Sequence, residues 1–154
     1  MFVYFLLEDM SSEALIDILM ENVSLRYPGV SYKCRSFKGL GGFTQKNTVK
    51  ETRTGKLLND LSTYLRGFNN SLKYLPDSAV FIVLDNDDND PAVFRAGLEE
   101  VAKDNHITID STYMEVGQKK SEWAKQIGRY MEPERNISPS FQSFWKELTK
   151  RAVS

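Results

Sequence analysis

The sequence predicts an α/β sandwich with a mainly parallel sheet of about four strands flanked by helices. Three observations predict it. Short apolar runs rich in strand formers stand at Phe2–Leu7 and Ala79–Leu84, as expected of strands buried on both faces. Segments with helical spacing of apolar residues separate the strand candidates. The resulting order, β-α-β-α-β-α-β-α-α, is that of a sheet with crossover helices. In such folds functional groups gather beyond the carboxyl ends of the strands.

Each element has its own local reason. Glu8-Asp9 ends the first strand, and Ser11 or Ser12 is expected to cap a helix with Glu13 in its first turn. Leu15, Ile18, Leu19 and Val23 form that helix's apolar face, and Pro28-Gly29 makes a turn. Val30–Phe37 alternates as a second strand. Residues 38–54 read as a loop, with Gly39, Gly41 and Gly42 followed by a polar and basic run. Leu57, Leu58, Leu61, Tyr64, Leu65 and Phe68 then recur at helical spacing, and Asn69-Asn70-Ser71 ends the helix. Pro76-Asp77-Ser78 turns into the strand Ala79–Leu84. Asp90-Pro91 is a helix start, with Asp as cap and Pro in the first position, and Val93, Phe94, Leu98 and Val101 form the inner face. His106–Ile109 is expected as a fourth strand. Helices are expected over about 119–131 and over Pro139–Arg151, the latter capped by Ser138 with Phe141, Phe144, Trp145 and Leu148 inward.

Composition sets the limits. The chain has 154 residues, 41% hydrophobic and 27% charged, which fits a single domain over 1–154 with a helical tail from about 118. One Cys and one His exclude a disulfide framework, multi-cysteine metal sites and paired-histidine metal motifs. No apolar run approaches the roughly 20 residues of a membrane span. Phe2–Leu7 is too short for a signal-peptide core and lacks a basic flank, so the expected setting is the cytoplasm. The net charge of -1 conceals four blocks: -4 over residues 1–32, +7 over 33–73, -8 over 74–116 and +4 over 117–154. Two acidic blocks can converge on a cation while basic blocks attract an anion; clustering on solvated faces is the bland alternative.

Two strand candidates end in acids, at Glu8-Asp9 and at Asp85-Asn86-Asp87-Asp88-Asn89-Asp90. If those strands are adjacent and parallel, Glu8, Asp85 and Asp87 meet at one sheet edge. Clustered carboxylates are best tolerated around a cation, and a site with no His or Cys nearby suits a hard ion such as Mg²⁺. A plain Asp/Asn turn is the competing reading. An EF-hand loop is disfavoured, because Asp90 stands where Gly belongs and Ala96 where Glu belongs. Lys38, Lys46, Lys50, Arg53 and Lys56 are candidates to hold a phosphate backbone, with a solvated loop as the alternative. Gly39-Leu40-Gly41-Gly42 reads as an ordinary turn, since the P-loop lysine pattern is absent. His106 reads as a solvated loop residue and Cys34 as a buried inert thiol.

A Glu ending the first strand and an Asp-x-Asp ending a later one resemble the Toprim catalytic domain. More narrowly, Phe5-Leu6-Leu7-Glu8-Asp9, Ser11–Leu15, Val83–Asp88, Gln118-Lys119, Trp123-Ala124, Ile127 and Ser138–Phe141 resemble an uncharacterised bacterial Toprim-like family often encoded beside ABC-type ATPases. The resemblance covers about two-thirds of the chain and implies a Toprim-like, Rossmann-like fold. It implies Glu8 as general acid/base or metal-placing group, Asp85 and Asp87 as ligands of Mg²⁺ or Mn²⁺, and nucleic acid as substrate. On the resemblance alone, an ABC-type ATPase is the expected partner. Two departures stand out. Asn89 occupies a position where the wider pattern often has a third acid, and the extra stretch that relatives carry after the fourth strand is missing. The expected function is therefore a Mg²⁺-dependent nuclease or related phosphoryl-transfer protein; the alternative is an inactive Toprim-like module that docks a protein partner.

Overall fold

The computed structural model describes residues 1–43, 55–75, 77–84, 90–107, 133–135 and 139–153. Among them, three strands form a parallel sheet in the order β2-β1-β3: β1 Phe2–Leu7, β2 Ser31–Ser36 and β3 Ser78–Val83. Four α-helices among the described residues flank it: α1 Met10–Arg26, α2 Leu57–Ser71, α3 Pro91–Asp104 and α4 Pro139–Val153. The central strand pairs in register with both neighbours, Leu7 standing opposite Ser36 on one side and Val83 on the other.

Strand periodicity sorts the core into two halves. Val3, Phe5 and Leu7 point to one face, where Ile16, Leu19, Met20 and Val23 of α1 and Phe141, Trp145 and Leu148 of α4 cover them. Leu6 points to the other, packed with Leu57, Leu58, Leu61 and Leu65 of α2 and Phe94, Leu98 and Ala102 of α3. The architecture is three-layered, helices on both faces of a parallel sheet. The C-terminal helix belongs to the first half-core, and Phe141 stacks on Trp145 with ring centroids 6.5 Å apart.

Several local expectations are met. The Tyr27–Val30 turn closes with Val30 N–H donating to Tyr27 O at 3.2 Å, and Gly29 adopts φ +107°, a conformation that L side chains resist. Asp90 caps α3 by accepting from the N–H groups of Ala92 and Val93. The helix over 57–71 runs to Ser71 and tightens into a 3₁₀ turn at Leu72–Tyr74.

Others are corrected. The cap of α1 is Asp9, not Ser11 or Ser12: its Oδ1 accepts from both the N–H and the hydroxyl of Ser12, at 2.8 and 2.9 Å. The buried stripe of α1 is Ile16, Leu19, Met20 and Val23, with Ile18 only half-buried. Apolar residues surround this helix, so its sequence does not choose a face and docking on the sheet does. Val93 is 71% exposed, because it lies one residue, about 100°, ahead of the Phe94–Leu98 stripe. His106 and Ile107 are not strand. They close α3: Ile107 N–H donates to Ala102 O and His106 N–H to Lys103 O, with His106 at φ 59°. That is a Schellman ending with His in the position glycine usually holds. The rest of the expected fourth strand, the helix over about 119–131 and the Ser138 cap lie outside the described residues.

Candidate functional site

The condition for the carboxylate site is met on the backbone. β1 and β3 are neighbours, parallel and in register, so their carboxyl ends emerge together. Glu8 continues the ladder: its N–H donates to Val83 O at 3.1 Å and its carbonyl accepts from Gly39 N–H at 2.9 Å. The residue is 7% exposed. From here the chain leaves β1 toward α1 on one face and leaves β3 toward α3 on the other. This divergence is the topological switch point at which open α/β sheets bind ligands.

Asp85 and Asp87 lie outside the described residues; Leu84, which precedes them, packs with the half-core of α2 and α3. Among the described residues no group of three or more His, Cys, Asp or Glu side chains is placed to hold a metal ion. The described nitrogen and sulfur ligands stand away from Glu8. Cys34 lies in β2 and packs with the α1-side half-core, and His106 ends α3, whose start is at the carboxyl edge of the sheet.

Of the five basic candidates, Lys38 and Lys56 are described and exposed; Lys46, Lys50 and Arg53 lie outside the described residues. The two lysines meet at the carboxyl edge, where the Lys56 ammonium donates to the Lys38 carbonyl. A backbone clasp holds them there. Lys38 N–H donates to Gly55 O at 2.7 Å, Leu57 N–H to Gly39 O at 3.0 Å and Leu58 N–H to Leu40 O at 2.8 Å. Gly42 N–H donates to the Asn59 side chain at 3.2 Å. The glycine run is therefore a structural joint to the start of α2 rather than the ordinary turn expected from its sequence. The N–H groups of Gly39 and Gly42, and those of Leu57 and Leu58 opening α2, have protein acceptors. Gly41 must lack a side chain, because a Cβ there would stand 2.7 Å from the Lys56 Cβ.

Asp60 is a member of this joint that the sequence reading missed. It is 6% exposed and accepts from Gly55 N–H at 3.0 Å. Its signal is an acid in the first turn of an otherwise leucine-rich helix, close behind Gly55. Asn105, 5% exposed, was also missed. Its side-chain amide donates to Ser62 Oγ at 3.0 Å and Val101 O at 2.8 Å, tying α3 to α2.

On the α1 side of β2 the Tyr32 hydroxyl donates to Asp17 at 3.0 Å, and the Ser36 hydroxyl donates to Glu13. Burial, then the Asp17 bond, pushes the Tyr32 phenol up to about 12. Burial, then the charges of Asp17 and Glu13, pushes the Cys34 thiol up to about 12. The thiol is half-buried rather than buried as expected, and both effects favour its protonated form at neutral pH. Trp145 is a core residue; Trp123, Lys119 and Lys120 lie outside the described residues. No described helix is long and apolar enough to cross a membrane. Compared with protein-family models, curated proteins and solved structures, the chain gives no match that would assign it to a family.

Proposed function

We propose that the chain is a Mg²⁺-dependent phosphoryl-transfer protein of Toprim type that cleaves nucleic acid. The observation that carries this reading is the in-register parallel pairing of β1 with β3. It brings the end of one strand, at buried Glu8, beside the end of the other, Val83, two residues before Asp85. Asp85 and Asp87 would hold Mg²⁺, and Mn²⁺ in its place. The ion, when bound, polarises a phosphoryl oxygen and neutralises charge developing in the transition state. Glu8 relays a proton to or from the attacking or leaving oxygen. Its backbone is held on both sides, by Val83 and Gly39, so its carboxylate starts from a fixed point. Lys38 and Lys56, at the same edge, attract the phosphate backbone.

The test is cleavage of single- and double-stranded DNA and RNA with Mg²⁺ or Mn²⁺ by wild type, Glu8→Gln and Asp85→Asn. Glu8→Gln is expected to slow cleavage by about 10²–10⁴, and Asp85→Asn to abolish calorimetric Mg²⁺ binding. Activity unchanged in both variants overturns the site. Inactivity of the wild type without Mg²⁺ binding favours the docking module, a reading that Asn89 in place of a third acid supports.

A further inference from the structure

The α2-side margin of β2 carries a second set of cations outside the 38–56 stretch. Lys33 and Arg35 are both exposed and stand in register with Tyr4 and Leu6 of β1. Registered residues of a parallel pair share a face, so both point to the side covered by α2. They lie roughly 7 Å apart, two strand residues at about 3.3–3.4 Å each. Among the described residues neither forms an ion pair. Aromatic rings interleave them. The Arg35 guanidinium lies 5.8 Å above the Phe37 ring, which meets Tyr64 of α2 edge-on at 5.2 Å. Tyr4 packs on Phe68 at 4.7 Å, and both Tyr4 and Tyr64 remain partly exposed. Past Phe37 the line continues into Lys38 and Lys56 and reaches Glu8 through the Gly39 N–H.

We infer that this margin is a track for single-stranded nucleic acid, with Lys33 and Arg35 on the phosphates and Tyr4 and Tyr64 as partial stacking surfaces. Charge complementarity names the occupant: Lys33 and Arg35 follow one another along β2 toward Lys38 and Lys56, while the acids Glu13 and Asp17 face its other side. Cations at this spacing, interleaved with rings, suit an extended single strand, whose phosphates are held electrostatically and whose bases stack without regard to sequence. The direction of the track leads to the carboxyl edge of the sheet. The inference rests on the nucleic-acid part of the proposed function but not on cleavage.

The experiment is fluorescence anisotropy of labelled oligo-dT, a matching RNA and a duplex, in EDTA, against wild type and the double variant Lys33→Gln/Arg35→Gln. Both residues are exposed, and an unchanged melting temperature checks the fold. The double variant is expected to bind oligo-dT about tenfold more weakly near 100 mM salt. It should also lose about 1.4 from the slope of log K against log salt, or roughly 0.7 per phosphate contact on a single strand. Equal affinity and slope in the two proteins overturn the track and leave the proposed nuclease standing. No binding by wild type, or loss confined to the duplex, also overturns it. Weakened binding together with no metal-dependent cleavage keeps the track and removes the nuclease.

Discussion

Alternate residues of β2 meet two different environments. On the α1 side, Tyr32, Cys34 and Ser36 are half-buried against Asp17 and Glu13, and desolvation governs their chemistry. On the α2 side, Lys33 and Arg35 stand in solvent at the margin of a ring cluster. One six-residue strand thus divides acidic, water-poor surroundings from basic, wet ones. A functional surface can therefore be built from residues two apart, without a loop and without disturbing the core behind it.

The largest way to break this contrast is to open the dry side. Phe141 is fully buried and packs with Phe144 and Trp145 behind β1. Phe141→Ala is expected to cost about 3–5 kcal/mol in urea unfolding, whereas Lys33→Gln on the wet side should stay within about 0.5 kcal/mol. Similar losses in the two variants would erase the distinction.

Next in size is the alkaline limb of stability. The Cys34 thiol is raised in the fold from its ordinary 9.0 to about 12. The unfolded chain therefore loses this proton first as pH rises. The stabilisation is complete below the unfolded pKa and declines from about 9 toward about 12. Tyr32, raised from 10.0 to about 12, declines in the upper part of the same window. Melting temperatures between pH 8 and 11 should fall less steeply in Cys34→Ala than in wild type, and iodoacetamide should modify the native thiol far more slowly than the unfolded one at pH 8. Equal modification rates would place Cys34 on a wet surface instead.

The smallest effect is expected at the end of α3. His106 holds a left-handed conformation that costs an L residue about 1–2 kcal/mol, while glycine loses roughly 0.5–1 kcal/mol more chain entropy on folding. His106→Gly should thus gain about 0.5–1 kcal/mol, read as a higher urea midpoint with an unchanged slope. A loss would mean that the imidazole makes contacts worth more than the strain.

What was legible in the sequence follows from how many forces agreed at each residue. In β1 and the leucine-rich helix over 57–71, burial and periodicity spoke together, and Asp90-Pro91 carried both cap and first-turn preference; β3 forms where its apolar run stands but is half-buried throughout rather than buried on both faces, because it lies at an edge of the described sheet. The pairing of β1 with β3, on which the site depends, could be posed from sequence only as a condition. At α1 the apolar residues surround the helix, so tertiary docking chose the face and Asp9 took the cap from the serines that follow it. His106 misled because left-handed His is uncommon, and an apolar pair after it resembles a strand. Lys33 and Arg35 were hidden inside an alternating strand. Attention to a basic loop passed over cations whose side of the sheet only register reveals. Asp60 was passed over because an acid in a helix's first turn is accounted for by the helix dipole alone, and its bond to the Gly55 N–H depends on the fold.

The turn at Tyr27–Val30 sets the phase of everything that follows in β2. Because the strand alternates with a period of two, gaining or losing a single residue there acts as a frameshift does on a message. Every lysine and arginine would be delivered to the acidic, enclosed side, and Cys34 and Tyr32 would be turned out to water. Variation in this part of the chain should therefore come as substitutions within a fixed count of residues, with the length between α1 and β2 held more tightly than any side chain in it.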